Sequence, residues 1–277
     1  MKKILLAFAC VLLVLTGCAA KQSLKKDSKT QPQTIQTGNL RKTTFALVSS
    51  AENSTLNYNK EYRYIEDIGD GRGYTGGIIG FTSGTGDMYE VVKKYVQLKP
   101  QHNILKPFLP ALKAVNGTSS HKGLGNKYVT AWRKASKDSA MIKAQNDILD
   151  KQYMNPAIKY AKKDGLSPLG QYIYYDALVV HGPGKDSDHS SFQGILADTL
   201  KKCKTPAQGG NEAKYLKHFL KVRTKIMLSE AAHKDLSRLN VQRKFINEGK
   251  FDLQLPLSWT MYNQKYYLDG QQVKKLN

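Results

Sequence analysis

Seven carboxylates crowd one stretch of the chain: Glu52, Glu61, Glu66, Asp67, Asp70, Asp87 and Glu90, opposed only by Lys60, Arg63 and Arg72. The stretch is net −4 in a chain of formal charge +21, which leaves +25 elsewhere. An acidic island in a basic protein points to two partners, a cationic one for the island and an anionic one for the remaining surface. A solvated acidic loop would have the same composition. Further along, three charges fall on apolar helical stripes. Asp176 lies seven residues after Leu169, Arg223 lies seven after Leu216, and Arg238 shares a face with Val241 and Phe245. Buried unpaired charges cost several kcal/mol, so this pattern predicts a network joining Asp176 to one or both arginines. The alternative is that each head group reaches water along its stem.

Other chemistries lack their motifs. Gly71, Gly73 and Gly76 spell a formal GxGxxG, but the residues after it, 77–81, read as a strand and not as the helix a dinucleotide needs. No HExxH, CxxC or EF-hand spacing motivates a metal site. The six histidines are scattered, and His181 reads first as structural. No basic–aromatic motif of nucleic-acid binding accompanies the positive charge.

The elements that must position these groups are mostly helices. Leu40, Thr44, Leu47, Val48 and Ala51 share a face, so a first helix ends at about Ala51 and presents Glu52. Residues 57–82, rich in Tyr, Ile, Gly and Thr, read as a small hairpin or three-strand element. Asp87, with Glu90 three later, predicts a helix cap, with Val91, Val92, Tyr95 and Val96 inward. Helical patterns follow at 104–115, 124–136, 139–163 (broken near Pro156), 168–181, 190–203, 211–227 and 234–247. From 251 onward the aromatic-rich chain reads as an extended closing segment. The class is mainly α with a small sheet.

The N-terminus is an address. Lys2 and Lys3 precede 12 apolar residues, Ile4 to Leu15, too few for the about 20 that span a bilayer. Leu15-Thr16-Gly17-Cys18 resembles a bacterial lipobox, which predicts removal of residues 1–17 and a lipid on Cys18. Residues 18–39 then read as the lipidated cysteine and a flexible tether, and 40–277 as the folded domain. Six basic residues between Lys21 and Lys42 could lie on anionic lipid, or simply be solvated. With Cys10 lost and Cys18 acylated, Cys203 is the only thiol, so the mature chain has no internal disulfide.

Glu52-Asn53, Tyr62, Asp70-Gly71-Arg72-Gly73, Thr75, Ile79-Gly80 and Asp87 together resemble the active-site signature of glycoside hydrolase family 46, the bacterial endo-chitosanases. The resemblance continues through Tyr175-Asp176, His181-Gly182, Val222-Arg223, Ser237-Arg238 and residues 257–262 with Trp259, and covers about residues 40–269. It implies a lysozyme-like fold with two lobes flanking a substrate cleft. It implies that Glu52 is the general acid, that Asp70 activates water and that Thr75 helps hold that water, with inversion. It makes Asp176, Arg223 and Arg238 a charge network behind the acid. It places Ser54, Arg72, Asp87, His181 and Glu230 along or behind the cleft. No cofactor is implied, and a monomer is expected.

Physical chemistry frames the same roles. Glycoside hydrolysis needs an acid at the leaving oxygen and a carboxylate on the opposite face of the sugar, and inversion needs room for water between them. A general acid keeps its proton through burial or like-charge neighbours, and arginines act the other way unless Asp176 compensates them. Chitosan is largely cationic, so the acidic island suits it while the basic exterior does not. Screening beyond about 10 Å lets the cleft dominate at contact. The exterior better suits anionic wall polymers or lipid headgroups. Two other readings stay open here: a muramidase acting on peptidoglycan, and a silent polysaccharide-binding lipoprotein.

Overall fold

The computed structural model describes residues 33–229 and 234–276. The lipobox, Cys18, most of the tether and Glu230 lie outside them. The helices run α1 Gly38–Glu52, α2 Asp87–Leu98, α3 Leu109–Val115, α4 Gly125–Ala135, α5 Ser139–Leu149, α6 Asn155–Asp164, α7 Pro168–His181, α8 Phe192–Leu200, α9 Glu212–Ser229, α10 Ser237–Asn247 and α11 Gly270–Lys275. An antiparallel sheet of β1 (Ile65–Asp67), β2 (Tyr74–Gly76) and β3 (Phe81–Thr82) lies between α1 and α2. A second hairpin, β4 (Leu257–Met261) and β5 (Gln264–Leu268), precedes α11. The class is the expected one.

The folded domain begins earlier than the tether reading placed it. Ile35 is fully buried, its N–H donates to Gln171 Oε1 at 3.1 Å, and Gln171 Nε2 donates to Gln33 O at 3.0 Å. The compact unit runs from Gln33, so residues 33–39 belong to the domain and not to the spacer. One apolar residue among polar ones carries no periodicity, which is why composition misassigns it.

At the centre stands α7. Every residue from Pro168 to Leu178 is buried, so the helix is enclosed on all sides and not only along one stripe. Ser167 caps it and Pro168 supplies the pre-set first turn. Tyr174 and Tyr215 meet hydroxyl to hydroxyl at 2.5 Å, and Tyr174 donates to Asp164 at 2.7 Å, which locks α7 to α6 and α9. Around Pro156 the helical path does not break. A π-turn at Asp150–Met154 widens the coil, and Pro156 falls in the opening turn of α6, where no i−4 bond is lost.

Other local expectations shift. Residues 58–63 form a 3-10 turn and not a strand. Residues 77–80 form a turn, with only Phe81–Thr82 extended, because Gly77 (φ +79°) and Gly80 (φ +72°) bend the backbone. Gly86, at φ +84°, occupies the cap position before α2, and Asp87 is the first helical residue. The C-terminal α11, closed by a capping box of Asp269 and Gln272, is an element that periodicity over six residues does not reveal.

Candidate active site

A cleft of about 970 Å³ runs between the sheet side and the C-terminal end of α7, with Glu52, Thr75, Asp87, Tyr153, His181 and Arg238 on its walls. Glu52 is the last residue of α1, and Asn53 closes that helix by donating to Ser49 O at 2.8 Å. The end of α1 is fixed from behind. Trp259 of β4 donates its indole N–H to Ser50 Oγ at 3.0 Å and stacks on Tyr266, with centroids 5.5 Å apart. The Tyr262-Asn263 turn, both residues at positive φ, lets β4 and β5 pair tightly enough to hold that indole.

Behind Glu52 the buried charges meet. Arg238 Nη2 lies 2.5 Å from Glu52 Oε1, and Arg238 Nε donates to Asp176 Oδ1 at 2.7 Å. The other Asp176 oxygen accepts from Arg223 Nη1 and from Gln242 Nε2, each at 2.7 Å. Asp176 and Arg223 are fully buried, while the Glu52 side chain is 38% exposed toward the cleft. Burial pushes the Asp176 carboxyl up, but Arg238 and Arg223 outweigh it and hold it at about 2. Burial lowers Arg238, and the carboxylates of Asp176 and Glu52 more than restore it. Two arginines thus face two carboxylates, and Arg238 is the cation both acids share. Gln242, absent from the sequence expectations, completes the network. It follows Arg238 by four residues, one turn on the same face of α10, which is the signal that could have found it.

His181 joins both descriptions made for it. Arg223 Nε donates to its Nε2 at 3.0 Å, which makes the ring the Nδ1–H tautomer, and the residue also lines the cleft.

On the sheet side of the cleft stand Arg72 and Thr75, with Asp70 beside Arg72. Asp70 sits in the β1–β2 turn, where Gly71 takes φ +82°. Arg72 clasps it: Nε and Nη2 donate to Oδ2 at 2.8 and 2.5 Å, and the Arg72 N–H donates to Oδ1 at 3.0 Å. Partial burial raises the Asp70 carboxyl, but this clasp wins and leaves it lowered. Arg72 lines the cleft, whereas Asp70 stands exposed at its rim. Thr75 is buried on β2, and its hydroxyl has no hydrogen-bond partner among the described residues.

Asp87 is held more firmly than a cap reading suggests. Oδ1 accepts from Thr82 N (2.7 Å), Thr85 Oγ1 (2.9 Å) and Met88 N (2.9 Å), while Oδ2 accepts from Tyr153 Oη at 3.3 Å. Burial raises its carboxyl despite these bonds. The turn at 77–80 that lines the cleft is anchored by Gln145, a second residue the sequence did not single out. Its Oε1 accepts from Ile78 N at 3.1 Å and its Nε2 donates to Tyr62 O at 2.9 Å. Ser54 is exposed just beyond α1 at φ +52°, next to Asn53 of the cleft lining. Glu230 and Cys18 lie outside the described residues.

Known proteins give this geometry its context. The sequence pattern described as "Glycosyl hydrolase family 46" matches residues 46–257. A chitosanase of Streptomyces sp. (strain N174) is 55% identical over 225 residues, which cover 81% of this chain and 80% of the relative. A chitosanase of Bacillus subtilis (strain 168) is 35% identical over 76% of this chain and 78% of its own. Among solved structures, a co-crystal of a chitosanase with substrate superposes with a TM-score of 0.82 at 47% identity, covering 86% of this chain and all of the other. The Gynuella sunshinyii family 46 chitosanase with chitotetraose gives 0.77 at 32% identity, covering 84% and 98%. With the pattern spanning most of the folded domain and 55% of 225 aligned residues identical in a relative, the chain belongs to glycosyl hydrolase family 46.

Proposed function

We propose that the chain cleaves β-1,4 glucosamine linkages inside chitosan with inversion, Glu52 acting as general acid and Asp70 as general base. The observation that carries the roles is the pairing of Glu52, at the cleft, with an arginine whose other side is held by the fully buried Asp176. Arg238 fixes Glu52 Oε1, so the carboxyl presents one edge to the leaving oxygen. Asp70, on the other wall and oriented by Arg72, takes a proton from water as that water attacks the anomeric carbon. The Glu52 proton passes to the departing sugar oxygen, so the products carry the balance of one water. The unpartnered Thr75 hydroxyl supplies a hydrogen-bonding site for that water. Asp87, held in the cleft wall by Thr82, Thr85, Met88 and Tyr153, suits a glucosamine ammonium. The relatives are chitosanases, and one solved neighbour is a complex with chitotetraose.

We infer further that Cys18 is lipidated after removal of residues 1–17, which places the enzyme outside the cytoplasm on a membrane tether.

The test is incubation with glucosamine hexamer and NMR of the newly formed anomeric ends, beside Glu52→Gln and Asp70→Asn. Internal cleavage giving α ends first, lost in both folded variants, is the expected outcome. Initial β ends would overturn inversion. Cleavage of peptidoglycan but not of the hexamer would replace the substrate with a muramidase's.

A further inference from the structure

Helix α9 carries Lys214, Lys217, Lys221 and Lys225 at spacings of three and four, all exposed on one face. Over those 11 residues the row spans about 16 Å. Lys202, just past α8, converges on it. Burial lowers the protonation of His218, and Lys221, Lys202 and Lys225 lower it further. Among the described residues none of these five lysines has a carboxylate within salt-bridge reach, whereas Lys201 next door is paired with Asp198 at 2.7 Å. Leu228, half exposed one turn beyond Lys225, ends the row with an apolar tip. Surface lysines are ordinarily interspersed with acids. A row held free of them is a field aimed outward.

Its place in the fold says what it faces. The chain enters the domain at Gln33 and Ile35, pinned to Gln171 in the opening turns of α7. One turn away, Ser167 donates its N–H and hydroxyl to Glu212 Oε1 at 2.8 and 2.7 Å, and Glu212 is the first residue of α9. The entry point and the start of the lysine row are therefore neighbours. The cleft is at the far end of α7, 14 residues and about 21 Å along its axis, where His181 stands, and α9 runs beside α7 to that end, since Arg223 Nε donates to His181 Nε2 at 3.0 Å. Cys18 precedes Gln33 by 15 residues. A chain of that length cannot exceed about 50 Å from end to end.

We propose that the α9 lysine row is a docking face for the anionic headgroups of the membrane that holds the lipid on Cys18. The proposal rests on the Cys18 reading. It gives the basic side an anionic partner, separate from the cationic polymer that suits the acidic cleft. Lysines contribute close to such a surface and lose effect beyond a Debye length, so the face acts only within tether range.

The test uses the chain from residue 18 onward, made without its lipid, in co-sedimentation with phosphatidylcholine vesicles with and without phosphatidylglycerol. The variant replaces Lys214, Lys217, Lys221 and Lys225 with Gln, which keeps helix propensity. The tether lysines are the same in both proteins and cancel. Expected is salt-sensitive binding to the anionic vesicles that falls at least tenfold in the variant, with unchanged circular dichroism and unchanged hexamer turnover. Equal binding by variant and parent overturns the proposal. So does binding to a soluble glycerol-phosphate polymer without binding to vesicles, which would transfer the face to a wall polymer. Incorporation of labelled fatty acid at Cys18, lost in Cys18→Ser, is read separately, so failure of the anchor and failure of the face are distinguishable.

Discussion

Replacing Asp176 by Asn removes the one charge that serves both buried arginines. Its carboxylate accepts from Arg238, Arg223 and Gln242 at 2.7 Å each. The side-chain amide keeps the size but offers one oxygen where two are used, and turns an N–H donor toward groups that only donate. The drop of the Asp176 carboxyl from 3.8 to about 2 corresponds to about 2 kcal/mol of differential interaction. The larger cost is the two arginines left in the interior with Glu52 as their only carboxylate. Breaking a buried pair in this way costs about 3–5 kcal/mol. For a domain of this size that lowers Tm by roughly 10 °C. Arg238, relieved of Asp176, tightens on Glu52 and withholds it from the leaving oxygen, so kcat on glucosamine hexamer falls by about 100-fold. The pH dependence carries a sign. Asp176 is depressed in the fold, so its stabilisation is present above the unfolded value and is lost as pH falls from about 4 through about 2. The Tm gap between parent and variant should therefore close over that window. Calorimetry across pH 2–7 with initial rates on the hexamer measures both. A variant within about 1 kcal/mol of the parent at pH 7 with full kcat would refute the network argument. Adding Arg223→Met to Asp176→Asn removes one stranded cation and should recover part of the lost stability.

The Thr75 hydroxyl is buried without a hydrogen-bond partner among the described residues, so Thr75→Val should leave the unfolding free energy within about 1 kcal/mol of the parent while lowering kcat at least tenfold; a stability loss with unchanged kcat would assign the hydroxyl to folding instead. Gln145→Ala removes the side chain that bonds both the Ile78 N–H and the Tyr62 carbonyl. It should cost about 2–4 kcal/mol in denaturant unfolding, with a raised KM as the 77–80 turn loosens, and an unaltered KM would separate that turn from substrate binding.

Much of this protein was legible before folding. Apolar spacing placed α1 to end at about Ala51, presenting Glu52, and α7 at 168–181, because apolar residues recur in both at helical spacing, although the fold encloses α7 on every side. Charges on apolar stripes announced that Asp176, Arg223 and Arg238 needed partners, because desolvation makes solitude expensive. Tertiary structure decided what periodicity cannot encode. Ile35 belongs to the domain because Gln171, 136 residues away, receives its N–H. The 77–80 segment turns where its composition reads as strand, because Gln145 supplies from α5 the hydrogen bonds a neighbouring strand would have given. Gln242 and Arg238 converge on Asp176 only when α10 packs beside α7. Local spacing dictates which face of an element is buried; which faces meet depends on long-range packing, and so it was the fold that gave both acids of this site a single shared arginine.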